Sequence, residues 1–310
     1  MRTIFIINPV AGNGNAVKKW KKFRERLTFP HEEAITQYQG HAIELVRACR
    51  ESEEPVLFIG FGGDGTLREI IAGAAGAEQL IVGSIAAGSG NDFGRGFYSF
   101  EDAESIQNFL DGPKWRREDL GEFWNGSVYR FVSSSGVGFD AEITVAVNRS
   151  ILKKWLNKIG FGKVAYLLYV IRTLVNFKPF RLAVDADGEQ QIYDDVWLVT
   201  ISNQPYFGGG MKISPHSKTD DGKLEMTVVH NISRLKVLLV FGTVFTGTHT
   251  RFREVVQKSG TAFTLKTDKA ICRHVDGDYA GETPAGRTIV YSVSENHWNS
   301  ANKVKKEDAK

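Results

Sequence analysis

The chain has 310 residues, 42% of them hydrophobic and 24% charged, with a net charge of +3. This is the composition of an ordinary globular protein of one or two domains, and the charge is too small to argue for a nucleic-acid partner. Its two distant cysteines, Cys49 and Cys272, suit a reducing cytoplasm better than a disulfide scaffold, and no run approaches the roughly 18 apolar residues of a membrane-spanning helix.

From the N-terminus, residues 3–8 read as a buried strand, too short for a signal-peptide core. Residues 17–27 follow as a helix, with Trp20, Phe23 and Leu27 on one face and lysines on the other. A short strand at 34–36, a helix at 41–50, an apolar strand at 56–60, a helix at 67–75 and a strand at 80–86 complete an alternating pattern. That rhythm predicts a doubly wound α/β domain over residues 1–120. The pattern then changes. Strand-like runs at 128–133, 180–186, 191–202, 224–229 and 262–266 are interrupted by helical stretches around 141–177 and 235–257. They predict a second, strand-rich, β-sandwich-like domain over 121–287, with a last segment at about 288–305 returning to the first. Asp187-Gly188 between two alternating runs marks a hairpin.

Three glycine-rich loops follow strands of the first domain: Asn8-Pro9-Val10-Ala11-Gly12-Asn13-Gly14, Gly62-Gly63-Asp64-Gly65-Thr66 and Ala87-Gly88-Ser89-Gly90-Asn91-Asp92. Ligands of open α/β sheets bind beyond the carboxyl ends of the strands, so the three loops gather on one rim. Glycine lets main-chain N–H groups approach phosphate oxygens, and the helix after the second loop aims its positive end at them. No G-x-x-x-x-G-K-[ST] occurs, and Gly12-x-Gly14 lacks the third glycine of a dinucleotide fingerprint. Asp64 within a phosphate loop makes sense as a ligand of bridging Mg²⁺ or as an acceptor that orders the loop.

The glycine cradle resembles the signature shared by diacylglycerol-kinase-type lipid kinases, NAD kinases and phosphofructokinases. Asn8-Pro9, Thr36 with Gly40-His41-Ala42, Gly88-Ser89-Gly90-Asn91-Asp92-Phe93, Gly209-Gly210-Met211 with Pro215, Asp220-Asp221-Gly222-Lys223-Leu224, and Asp276-Gly277-Asp278 with Thr283-Pro284 narrow the resemblance to bacterial soluble diacylglycerol kinases and their lipid-kinase relatives. The resemblance spans nearly the whole chain. It implies ATP contacts at Asn8, Pro9, Val10, Thr36, Gly62, Gly63, Asp64, Gly65, Thr66, Leu67, Arg68 and Ser89. Arg68 stands where the family often has Asn, and Ser89 where it usually has Thr. A structural Mg²⁺ site is implied at Asp221 with the main-chain oxygens of Lys218 and Lys223; read without the resemblance, the same residues are a plain turn before a strand.

Phosphoryl transfer needs in-line positioning, charge neutralisation and a base for the acceptor hydroxyl. The resemblance places that base at Asp278, where the family usually carries Glu, with Asp276 orienting it or joining it to the Mg²⁺ network. Asp187-Gly188-Glu189 spells the family motif literally, but a hairpin tip explains it. Glu282 is a fallback, and His274 lies close enough to tune the base. The implied activity is ATP- and Mg²⁺-dependent phosphorylation of a lipid hydroxyl, diacylglycerol giving phosphatidic acid, in phospholipid biosynthesis. The alternatives are a soluble-alcohol kinase resembling NAD kinase and a catalytically weak nucleotide-binding regulator. The expected partner is a lipid at the membrane surface, met by a cytoplasmic protein peripheral to the inner face. Residues 151–177, rich in lysine and aromatics, suit such a contact as well as they suit a core-facing amphipathic helix. A homodimer is compatible with the sequence.

Overall fold

The computed structural model describes residues 1–86, 92–148 and 162–303. The chain divides into two compact units. The first comprises Met1–Leu120, Gly208–Gly210 and Ser294–Lys310, and the second Gly121–Phe207 and Met211–Val293.

The first unit is built on β1 (Arg2–Ile7), β2 (Glu32–Ile35), β3 (Val56–Gly62), β4 (Leu80–Ala86), β5 (Trp115–Glu118) and β17 (Trp298–Ala301), in the order β2-β1-β3-β4-β17-β5. All pairings are parallel except that of β17 with β5. Every residue of β3 is buried, as a parallel strand covered on both faces requires. Helices α1 (Ala16–Arg24), α2 (His41–Arg47), α3 (Asp64–Ala74), α4 (Asp92–Gly96) and α5 (Ala103–Asp111) connect the strands. Trp20 of α1 lays its ring 4.7 Å from Phe5 and 5.3 Å from Phe61, fixing the helix to the sheet. Helix α3 begins at Asp64, three residues earlier than the apolar pattern suggests. Gly63 takes an extended conformation as the cap, and its carbonyl accepts from the N–H groups of Thr66 and Leu67. Part of the glycine cradle is therefore the first turn of a helix.

The second unit contains an 11-stranded sheet, ordered β15-β14-β8-β10-β9-β13-β16-β6-β7, with β11 and β12 branching from β10. Its strands are β6 (Gly121–Trp124), β7 (Val128–Phe131), β8 (Ser134–Gly138), β9 (Phe180–Ala186), β10 (Glu189–Ser202), β11 (Leu224–His230), β12 (Val255–Gly260), β13 (Ala262–Thr267), β14 (Ile271–Val275), β15 (Asp278–Thr283) and β16 (Thr288–Val293). A bulge at Asp195, whose φ is +49°, divides β10: the first half pairs with β9, the second with β8 and β11. Strand β16 pairs with β13 and β6 in this sheet, and only the chain from Ser294 lies in the first unit. Helices α6 (Phe139–Asn148), α7 (Gly162–Asn176) and α8 (Arg234–Thr243) bury Ile143, Val170, Leu174, Val237 and Val240 in the core of this unit. The helical stretch expected to reach residue 257 ends at Thr243. Two 3-10 turns follow on either side of Gly247, whose φ is +74°, and the β-branched pair Val255-Val256 then enters strand β12.

Candidate active site

The end of β1, the start of α3 and the start of α4 are tied to one another within the first unit. The Asn8 side-chain amide donates to Thr66 Oγ1 at 2.9 Å, while Asn8 Oδ1 accepts from the N–H of Val10 at 3.1 Å. Asp64 Oδ1 accepts from the N–H of Phe93 at 3.2 Å, so this carboxylate orders the rim. Asp92 Oδ2 accepts from Gly209 N–H at 2.6 Å, and its other oxygen meets Arg95 at 3.0 Å. Burial pushes the Asp92 carboxyl up, the Gly209 bond opposes this, and the nearby Asp64 charge reinforces it.

The glycines divide by role. A Cβ on Gly62 would lie 2.6 Å from Thr66 Oγ1, and one on Gly60 would lie 2.4 Å from Leu67 Cδ2, so both are required by close packing inside the protein. Gly63 and Gly65 would place a Cβ in open space. Their main chain is unobstructed at a helix N-terminus that no side chain caps, which is the geometry of an anion cradle. Thr36 is buried, and both its N–H, at 2.9 Å, and its hydroxyl, at 3.4 Å, donate to the Ile7 carbonyl. Leu67 is a core side chain, Pro9 and Arg68 are half-buried, and Val10 is exposed. Ser89 lies outside the described residues.

In the second unit, Asp276 and Gly277 have φ of +47° and +81° and form the tight turn joining β14 to β15. Positive φ at both central residues is the signature of the hairpin turns that favour Asx-Gly. The Asp276 carboxylate accepts three main-chain N–H groups: Val132 at 2.9 Å, Ser133 at 2.8 Å and Ser134 at 3.0 Å. Asp276 thus anchors the turn to the strand beside it, and Asp278 opens β15 as an exposed residue. Two residues before Asp276, fully buried His274 places Nε2 at 3.0 Å from Asp140 Oδ2, which also accepts from Thr200 Oγ1 at 3.1 Å. The Phe207 ring stacks on His274 at 4.5 Å. His274 stands out in sequence by its place before the turn, but nothing there points to Asp140 as its partner or to Thr200 as the second donor to that carboxylate.

The Asp187-Gly188 turn joins β9 to β10 and has the same architecture. Asp187 accepts from the N–H of Thr261, the hydroxyl of Thr261 and the N–H of Ala262, and those bonds, led by Thr261, hold its carboxyl below the usual range. Glu189 pairs with Lys258 at 3.0 Å. Asp221 and Lys218 are exposed, and Asp221 Oδ1 accepts from the N–H of Lys223 at 3.1 Å. Among the described residues, no three His, Cys, Asp or Glu side chains gather as a metal cluster. A cation held at Asp221 would therefore rely on main-chain oxygens, which is the donor set named for it.

The profile of the diacylglycerol kinase catalytic domain matches residues 2–123, and that of the YegS C-terminal NAD kinase beta sandwich-like domain matches residues 133–293. The chain is 31% identical over 295 residues to the Bacillus subtilis protein named "Putative lipid kinase YtlR", covering 90% of this chain and 94% of that one. It is 29% identical over 290 residues to a diacylglycerol kinase of Mycobacterium tuberculosis, covering 90% and 89%. Its fold is similar to that of a crystal structure described as "a putative diacylglycerol kinase from Bacillus anthracis", with a TM-score of 0.73, 22% identity and coverage of 97% and 95%. It is also similar, at a TM-score of 0.54 and 10% identity, to yeast NADH kinase, covering 99% and 85%. At these identities the two structures speak for the fold alone.

Proposed function

Because the chain belongs to the family of diacylglycerol kinases and related lipid kinases, we propose that it transfers the γ-phosphate of ATP to a lipid hydroxyl, with diacylglycerol as acceptor and phosphatidic acid as product. The observation that carries this reading is the uncapped N-terminus of α3, where Gly63 and Gly65 leave the main chain open to a phosphate. Asn8, Pro9, Val10, Thr36, the first turn of α3 through Arg68, and Ser89 bind the nucleotide in this proposal. The unit holding residues 1–120 binds ATP and the strand-rich unit the lipid, at the inner face of the cytoplasmic membrane.

Asp278 acts as the base. Its carboxylate takes the proton of the acceptor hydroxyl as the hydroxyl oxygen bonds to the γ-phosphorus, and the bond from that phosphorus to the bridging oxygen breaks to release ADP. Asp276 holds the turn on which Asp278 stands. The oxygens of Asp221, Lys218 and Lys223 are hard donors that fit Mg²⁺, and such an ion would pin the turn before β11. Mg²⁺ bound with the nucleotide supplies charge neutralisation on the phosphates.

Transfer of labelled phosphate from ATP to a panel of diacylglycerol, a sphingoid base, phosphatidylglycerol, a polyprenol and NAD tests the proposal. Labelling of a lipid by the wild type but not by Asp278→Asn supports it. ATP binding with no transfer to any acceptor, or labelling of NAD alone, overturns it.

A further inference from the structure

Strand β15, which opens with Asp278, lies at the edge of its sheet. It pairs with β14 alone, and the register of that pairing shifts between Cys272 and His274. An edge strand with an interrupted ladder holds its first residue loosely by main-chain bonds alone. A second attachment lies one strand away. His274 stands opposite Gly136 of β8, where an added Cβ would collide with both Asp140 Oδ2 and His274 Nε2. The glycine leaves room for those two side chains to meet over it. Gly138, with a φ of +115°, ends β8 and turns the chain into α6, whose second residue is Asp140.

The hydrogen bonding of the buried imidazole goes to one atom. Its Nε2 is 3.0 Å from Asp140 Oδ2, while Nδ1 is buried with no partner among the described residues. Asp140 is held from two further sides: Thr200 Oγ1 donates to Oδ2 at 3.1 Å, and the N–H of Ala141 donates to Oδ1 at 2.8 Å. The Phe207 ring lies parallel to the imidazole at 4.5 Å, and a Cβ on Gly277 would rest 3.7 Å from Phe207 Cε2. Phe207 thus reaches from His274 to the turn residue between Asp276 and Asp278. Apolar side chains would fill this space without the desolvation that a buried carboxylate and imidazole suffer. What the hydrogen bond adds is direction, because it fixes a strand where apolar packing permits sliding.

We infer that His274 and Asp140 are positioning residues for the phosphoryl transfer: their bond, with Phe207 packed against it, sets where β14 ends and so where the turn presents the Asp278 carboxylate to the acceptor hydroxyl. Neither side chain touches substrate in this role. The inference rests on the reading of Asp278 as the base.

Kinetics of labelled-phosphate transfer from ATP to diacylglycerol tests it. His274→Phe keeps a ring to stack on Phe207 but removes the bond. Its kcat is expected to fall by about 10-fold or more, with KM for ATP and for diacylglycerol unchanged and circular dichroism as in the wild type. Asp140→Leu has the same effect. His274→Gln, whose amide can donate to Asp140, recovers most of the loss. In the Asp278→Asn background His274→Phe lowers kcat no further, because the group it positions is gone. The inference is overturned if folded His274→Phe turns over as the wild type does, if its loss adds in full to that of Asp278→Asn, if His274→Gln recovers nothing, or if His274→Phe and Asp140→Leu both fail to fold.

Amide hydrogen exchange separates this inference from the kinase reading. His274→Phe is expected to speed exchange at Gly277, Asp278 and Tyr279 and to leave the first unit unchanged. That result in a protein that phosphorylates no acceptor keeps the pair as the support of the turn and removes the kinase reading. Unchanged exchange at the turn, in a protein whose wild type phosphorylates a lipid, does the reverse.

Discussion

Asp276 and Ser134 are bonded in both directions: the N–H of Asp276 donates to the Ser134 carbonyl at 2.8 Å, and the N–H of Ser134 donates to Asp276 Oδ1 at 3.0 Å. This reciprocal pair, with Val132 and Ser133 added, fixes the turn that presents Asp278. Asp276→Ala strands three N–H groups at once. It is expected to destabilise the fold by roughly 2–4 kcal/mol, while Asp276→Asn, which keeps one acceptor oxygen, costs less. Urea unfolding of the two variants checks the order.

Asp278→Asn should lower turnover by at least about 10²-fold and leave melting temperature and ATP binding unchanged, because the side chain is exposed at the start of β15. Glu189→Gln should retain activity, since Glu189 pairs with Lys258 beside a hairpin tip. Steady-state kinetics on the two variants separates them, and the opposite pattern refutes the assignment of the base.

Gly62 and Gly65 should respond differently to alanine. Gly62→Ala drives a Cβ into Thr66, so it breaks the Asn8 bond and loses both stability and ATP affinity. Gly65→Ala meets nothing within 4 Å and lies inside α3, so it leaves stability unchanged or raises it by up to about 1 kcal/mol. Its ATP affinity nevertheless falls if a phosphate sits against that main chain. Calorimetric titration alongside thermal melting shows whether stability and binding part company.

Acid should expose the bond between Lys236 and Glu254. Hydrogen bonding to Lys236 above all holds the Glu254 carboxyl at about 2, well under the ordinary value of 4.5. A depressed folded-state value means that the stabilisation is complete above the unfolded value and is lost as pH falls from about 4.5 towards 2. The urea-midpoint difference between wild type and Glu254→Gln is therefore expected at neutral pH and should shrink through that window. A difference that stays constant with pH refutes it.

Strands β1, β3 and β4 of the first sheet were legible because they are apolar runs followed by glycine-rich loops, both local signals, whereas β5 and β17, short and rich in polar residues, were not. The hairpin at Asp187-Gly188 was legible for the same reason, since two residues of positive φ leave a two-residue signature. What closes the candidate site was not. The partners of the Asp276 carboxylate lie 142 to 144 positions away in sequence, and His274 meets Asp140, 134 positions away, whose carboxylate also accepts from Thr200 of another strand. Strand β8, Ser134–Gly138, is too small and polar to announce itself, though every residue of it is buried. Asp92 was visible as part of a motif, but its bond to Gly209 depends on a contact spanning 117 positions. Long-range partners leave no trace in periodicity.

Strand β17 sits between β4 and β5, in the interior of the first sheet, although it is the last strand in the chain. During synthesis, strands β1 to β5 emerge before it with that slot unfilled, and all of the second unit's sheet must follow before Trp298, whose ring lies 5.0 Å from Phe97, can arrive. The sheet of the first unit therefore cannot be completed until the second unit has been made. A chain ending before Ser294 would be released with its first sheet split between β4 and β5, leaving two unpaired edges for proteases and chaperones to find.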